Sequence, residues 1–450
     1  MKTDARGRKA AWDAEALLGK ARNLGCSQAE VFETGQVTTP VNYENNELKS
    51  LQTAETAVVA VRVMKDGRRG FATSTRPGDD AVVEMAVRAS QFGPPADLDF
   101  APASPAQADL ATYDPAVVDW SQEEMLAAGA GLVEAGRGLE PGVLASVTVE
   151  KSVEYTRVAT SAGQAAWHEG TAGVLVSSVE LVEPENMIQT WAFQASRRLA
   201  DLSPSVIGER VAWLYRNARH NVPFRGGSYP VVFSPAAVAD LVAPFVACLN
   251  GKAVVKGESP WKDRLGDKLF ADGFTLWDDP WLPWGVATRG FDDEGVPTSR
   301  RAVIEKGVLR EFHLDLRSAK ALGRTSTGNG FRPSPQTAPA PAPSNLALEP
   351  GSEPWAKLVT GVKEGLYVQR LMGAWAGNPY AGQVSGNVHI GFKIENGEIV
   401  GRVKDCMVLV PVFEAFRDAL LALSRESEFT PPSYYLPHVL LDRVSVGTKS

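Results

Sequence analysis

Apolar positions in 11–25 fall at helical spacing, with Trp12, Ala16, Leu17 and Ala21 on one face, and predict a first helix. The pattern then shortens to that of strands in AEVFETGQ, TPVNYENNELKSLQ and TAVVAVRVMKDGRRGFATST. Turns are expected at Glu44, Asn45 and Asn46 and at Lys65, Asp66 and Gly67, where Asn, Asp and Gly tolerate the positive φ of a tight hairpin. Helical spacing returns over 79–92. Residues 94–114 are rich in Pro and Ala and read as an extended surface loop. A helix over about 121–137 opens on Ser121 and Glu124, the S-x-x-E capping box. Strands follow at 143–160, 171–182 and 187–195, the first two parted by a turn at Ser161, Ala162 and Gly163. Ser203 and Pro204, a cap residue and a proline in the first helical position, open a helix ending near Ala218.

A linker at 220–228 separates this half from a second one. That half starts with a strand at 229–234 and a helix at 235–251, which Pro244 is expected to bend or split. Short strands and tight turns then dominate, with hairpin signals at Lys306 and Gly307 and at Glu395, Asn396 and Gly397. A Pro-rich crossing occupies 332–354. Helices are predicted at 354–364 and 411–425, and YYLPHVLLDRVSVG reads as a closing strand. No repeat of solenoid length is present.

A length of 450 residues calls for two or three cores. The net charge of -7, with no block of like charges, gives no footing for nucleic acid, so no nucleic-acid partner is expected. The N-terminal segment is polar and then amphipathic, without the apolar stretch of a secretory signal. No run of about 18 apolar residues occurs, so no membrane contact is expected. Three widely spaced cysteines, Cys26, Cys248 and Cys406, fit a reducing cytoplasm better than a disulfide framework.

Candidate chemistry is sparse. A helix-borne zinc motif needs two histidines within a turn or two, and the five here (His168, His220, His313, His389, His438) are all far apart. His168 and Glu169 form only a fragment of such a motif, and the simpler reading is a polar pair at a strand start. Asp278 and Asp279, with Asp292, Asp293 and Glu294, flank the WLPWG turn. Clustered carboxylates can hold a hard cation or serve glycoside hydrolysis, but Asp beside Gly and Pro usually caps and solubilises turns. Ser259 and Lys262 match S-x-x-K, a two-residue coincidence without its companion motifs. Phosphate loops and G-x-S-x-G are missing. The string TSTGNGFR at 325–332 could hold a peptide backbone or an anion on exposed amides, or simply launch the Pro-rich crossing.

Several strings, in order from about residue 28 to 405, resemble the TldD/PmbA ("modulator of DNA gyrase") family: AVRVMKDGRRGFATS, KDRLGDKL, TLWDDP, FDDEGVPTSRRAVIEKGVL, TSTGNGFR, LEPG, GLYVQRLMG and SGNVHIGFKIENGEIVGRVKD. The resemblance implies an α+β fold. Residues 1–222 would form an N-terminal α/β domain with a mainly antiparallel sheet, and 223–450 a strand-rich C-terminal domain. The TldD branch carries zinc on an HExxxH helix with a later Cys ligand, whereas the PmbA or TldE branch lacks them and pairs with TldD. Taking LNG (249–251) as anchor, the two His positions fall on Val242 and Ala247 and the Glu on Ala243. No catalytic or metal-binding residue is therefore expected in this chain, and zinc is expected in a TldD-like partner.

The resemblance further implies a dimer, with that partner or with a second copy, and an unfolded peptide threaded through its groove. Asp293, Glu294, Thr327, Asn329 and Arg332 are the candidate groove residues. The expected function is that of a non-catalytic subunit of a heterodimeric zinc metallopeptidase. The alternative is a stand-alone homodimeric peptide-binding protein. Independent hydrolysis through Ser259 and Lys262 or the acidic cluster is a third reading.

Overall fold

A computed structural model describes residues 10–105, 109–184, 186–374 and 376–448. The first nine residues of the polar N-terminal segment, 106–108 of the Pro- and Ala-rich loop and the last two of the terminal GTKS lie outside that range.

The N-terminal half runs α1 (Ala14–Asn23), β1 (Gln28–Glu44), β2 (Glu47–Leu51), β3 (Ala54–Lys65), β4 (Arg68–Ser74), α2 (Ala81–Ser90), α3 (Pro115–Asp119), α4 (Gln122–Arg137), β5 (Leu144–Thr160), β6 (Ala165–Glu183), β7 (Asn186–Ser196) and α5 (Pro204–Ala218). Its seven strands form one antiparallel sheet in the order β4-β3-β1-β5-β6-β7, with β2 beside β1. The chain reaches its second sheet at Gly227.

The C-terminal half runs β8 (Gly227–Phe233), α6 (Pro235–Leu249), α7 (Gly251–Lys256), β9 (Leu276–Asp278), β10 (Arg301–Glu305), β11 (Val308–Leu309), α8 (Leu316–Ala321), β12 (Gly330–Phe331), β13 (Ala340–Pro341), β14 (Leu346–Leu348), α9 (Trp355–Thr360), β15 (Glu364–Met372), β16 (Gln383–Glu395), β17 (Glu398–Arg402), β18 (Cys406–Pro411), α10 (Val412–Asp418), β19 (Leu420–Thr430) and β20 (Tyr434–Thr448). Eleven of its strands make a mostly antiparallel sheet, while β12 and β13 pair apart. The molecule is thus α+β and rich in sheet.

Local chemistry explains most elements. The four hairpin turns carry positive φ at Asn45 and Asn46, Asp66 and Gly67, Lys306 and Gly307, and Asn396 and Gly397. Helix α4 begins with the complete Ser121–Glu124 capping box, and α5 with the Ser203 cap and Pro204. β1 runs through Pro40 because of where that residue falls. Pairing to β3 ends at Thr38 and pairing to β2 starts at Val41, so Pro40 has a neighbour only in β5.

One expectation is narrowed and another fails. Pro244 does not split α6, which is continuous to Leu249; the break comes at Asn250, whose side chain accepts from the Lys252 and Ala253 amides and starts α7. The helix expected over 411–425 stops at Asp418. The apolar run that follows is β19, because β20 offers it a backbone ladder from Leu441 to Tyr434.

The two sheets share a core. Helix α5 lies between them: Ile207, Val211 and Leu214 pack in one cluster with Val149 and Leu175 of the first sheet and with Tyr367, Phe392 and Leu440 of the second. Trp213 of α5 meets Trp355, Tyr367 and Phe392 edge-on at 5.7–5.9 Å between ring centres. A second, larger cluster buries α6 against β8, β15 and β20.

Candidate functional site

The five residues expected to line a groove do come together, but inside the molecule, where the first sheet meets the loops of the second half. Arg62 of β3 lies between two carboxylates. Its Nε donates to Glu30 of β1 at 2.8 Å and its Nη1 to Glu294 at 3.2 Å. Arg332 donates from Nη2 to Glu30 at 2.8 Å and from its backbone amide to Asp293 at 2.7 Å, and its guanidinium lies 4.3 Å from the Phe32 ring centre. Asp293 also accepts from Arg289 at 2.6 Å. The Thr327 hydroxyl donates to Asn329 Oδ1 at 2.6 Å, and Asn329 Nδ2 donates to Asp278 at 2.6 Å. All five side chains are buried. Their partners are residues of this chain, and the links from Glu30 and Arg62 to Glu294 and Arg332 join its two halves.

Burial governs the electrostatics of this network. It pushes the Glu294 carboxyl up to about 7, against the pull of Arg62. Burial alone would lower Arg62, yet Glu30 and Glu294 hold it above its ordinary value. Burial brings Arg332 down to about 10, partly offset by Glu30. Asp292 accepts from the amides of Glu294, Val296 and Gly330, so turn chemistry is present as expected. These acids do not solubilise the turn, however: Asp278, Asp279, Asp292, Asp293 and Glu294 are all buried.

The other candidates are engaged structurally. Ser259 donates its hydroxyl to the Cys248 carbonyl at 2.7 Å and accepts from the Trp261 amide, whereas Lys262 is exposed. His168 is buried within β6, and burial together with Arg197 and Arg289 drives its imidazole well below its usual pKa. His438 stacks on Trp355 and meets the Tyr367 hydroxyl at 3.2 Å. Among the described residues no group of three His, Cys, Asp or Glu side chains is placed to hold a metal.

Helix α6 carries the positions where the resemblance puts zinc ligands. Val242 is buried in the core, and Ala243 and Ala247 lie on the outer face. None offers a donor atom. The neighbouring Cys248 is buried among apolar side chains, which pushes its thiol up to about 12. This donor set does not fit zinc. On the same outer face, burial raises the Asp240 carboxyl to about 6, with Arg370 pulling the other way.

That face of α6 leads, through Ala236, into a cleft of about 480 Å³ between β7 and the second sheet. Along β7, residues 191, 193 and 195 alternate with those that pack against α5, so Trp191 and Phe193 point into the opening. Phe429 of β19 stacks on Phe193 at 5.5 Å and meets Tyr435 at 5.5 Å. Arg370 of β15 lies 4.5 Å from the Trp191 ring centre. No local pattern of residues marks this cleft. Its walls come from segments more than 200 residues apart, and one of them, β19, begins inside the stretch expected to be helical.

A two-sheet α+β chain with a shared core, aliphatic residues along α6 and an aromatic cleft beside β7 defines the class of protein. Residues 226–448 match the model of the PmbA/TldA metallopeptidase C-terminal domain, and residues 29–91 that of PmbA/TldA metallopeptidase domain 1. The chain belongs to the PmbA/TldD family. It is 25% identical over 387 residues to Metalloprotease PmbA of Escherichia coli O157:H7, covering 82% of each chain. It is 23% identical over 411 residues to an uncharacterized protein of Methanocaldococcus jannaschii, covering 91% of this chain and 94% of that one. The crystal structure of TldE from Thermococcus kodakarensis superposes with a TM-score of 0.90 at 23% identity, covering 96% of this chain and 99% of that one. No described helix is long and apolar enough to cross a membrane.

Proposed function

We propose that this chain is the non-catalytic, PmbA/TldE-like subunit of a cytoplasmic heterodimeric metallopeptidase acting on unfolded peptides, with zinc and the general base supplied by a TldD-like partner. One observation supports this reading: in a chain that follows the family scaffold over nearly its whole length, α6 carries Val242, Ala243 and Ala247 where the resemblance puts the zinc ligands and the base. Aliphatic side chains can neither bind zinc nor take a proton from water. The contribution of this chain is then surface and stability.

The test is reconstitution. Purified chain is mixed with a TldD-type subunit bearing HExxxH, and assembly is followed by size exclusion and cleavage by assay on an unstructured peptide. Co-elution, with cleavage well above that of the partner alone, is expected. Separate elution with no gain in cleavage overturns the proposal, as does stoichiometric zinc with peptidase activity in this chain by itself. A homodimer that binds peptide and ignores the partner would favour the stand-alone reading.

A further inference from the structure

The cleft beside β7 has three features that together specify a ligand. The first is an open strand edge. β7 is the outermost strand of the first sheet, and among the described residues its backbone from Ile188 to Ala195 bonds only to β6. Every second residue on such an edge leaves its N–H and C=O facing outward, a template for one more strand. Natural edges are usually blunted by proline, by lysine or by a covering loop. This stretch (IQTWAFQA) has neither proline nor charge, and its outward face borders the cleft.

The second feature is the aromatic wall. Trp191, Phe193, Phe429 and Tyr435 surround an opening whose volume suits one or two large side chains. The third is Arg370. The other charged groups at the cleft are already paired: Arg210 with Glu428 at 3.5 Å and Asp201 with Arg198. Arg370 lies against the face of Trp191 yet has no hydrogen bond or ion pair within 4 Å among the described residues, Asp240 included. A guanidinium stacked on indole keeps its in-plane N–H donors available, an arrangement suited to a carboxylate.

We infer that this cleft is a peptide subsite belonging to this chain alone: an extended segment adds to the β7 edge, seats an apolar or aromatic side chain against Phe193 and Phe429, and places a carboxylate on Arg370. The inference deepens the peptide-handling reading above and assigns part of the recognition to the subunit without zinc. The carboxylate can be a free C-terminus or an Asp or Glu side chain, since Arg370 meets the same group in either case.

Binding is read on the full chain without a partner, by titration calorimetry with short peptides. The first probe carries phenylalanine and a free C-terminus. The second is its C-terminal amide, and the third is the amide with glutamate as last residue. The free acid is expected to bind at least about tenfold more tightly than the amide, the worth of a charge-assisted hydrogen bond. Recovery in the third probe assigns the preference to side-chain carboxylates as well, and no recovery assigns it to the C-terminus. Arg370→Gln should erase the difference between acid and amide.

Two further probes methylate alternate backbone amides in opposite registers, which leaves the protein untouched. One register should bind and the other should not. Equal affinity for acid and amide, or equal binding of both methylated registers, overturns the inference. Such an outcome leaves the reconstitution experiment intact, just as failed co-elution with a TldD-type subunit leaves these titrations intact.

Discussion

At the scale of single residues, Arg62 and Asp240 show what burial does to charge. Arg62 lies between Glu30 and Glu294, both fully buried. Replacing it by methionine keeps the bulk, leaves Glu294 without a cationic partner in a dry interior and leaves Glu30 with Arg332 alone. Arg62→Met should therefore cost about 3–5 kcal/mol in denaturant unfolding, far more than loss of an exposed ion pair. Asp240 works in the opposite sense. Its carboxyl is raised to about 6, so folding favours the protonated form. That stability is full below the unfolded value of about 4 and is lost as pH rises through 6. Asp240→Asn should leave Tm unchanged at pH 4 and raise stability at pH 7.5 by roughly 1–3 kcal/mol. Equal Tm differences at both pH values would refute that account. The string FDDEGVP marked a turn in the sequence, but its burial was not legible there. Whether Glu294 meets water or Arg62 depends on a strand more than 200 residues earlier.

Among the elements, hairpins were the most legible because their signal is local. An Asn-Gly, Asp-Gly or Lys-Gly pair between alternating runs needs no tertiary help to turn. Two of these glycines nevertheless differ in what surrounds them. Gly67 has positive φ and open space around it, so Gly67→Ala should cost about 1 kcal/mol from backbone strain alone. At Gly307 the φ is equally positive, and a Cβ would run into the Phe270 carbonyl. Gly307→Ala should cost at least about 2 kcal/mol more than Gly67→Ala, as read from thermal or urea unfolding. Equal costs would mean that the Phe270 segment gives way. The 411–425 segment was misread for the converse reason. Short apolar runs fit helix or strand alike, and β20 decided between them.

For the whole molecule, the shared core around α5 predicts a single unfolding event. Neither sheet can lose that helix without exposing Ile207, Leu214 and Trp213 together with the far side of the other sheet. Calorimetry and near-UV dichroism should give one coincident transition, whereas two separated transitions would show independent halves. By itself, the sequence determined most hairpins and caps and the aliphatic residues Val242, Ala243 and Ala247 of α6, because each is written in local spacing or residue type, while the α+β character was legible through the family resemblance. Tertiary structure alone decided where charge is buried, which strand edge stays open and what faces it. The burial of Glu294 and the pairing of Trp191 with Arg370 both depend on segments that meet only when the two sheets dock, and no local pattern encodes that docking.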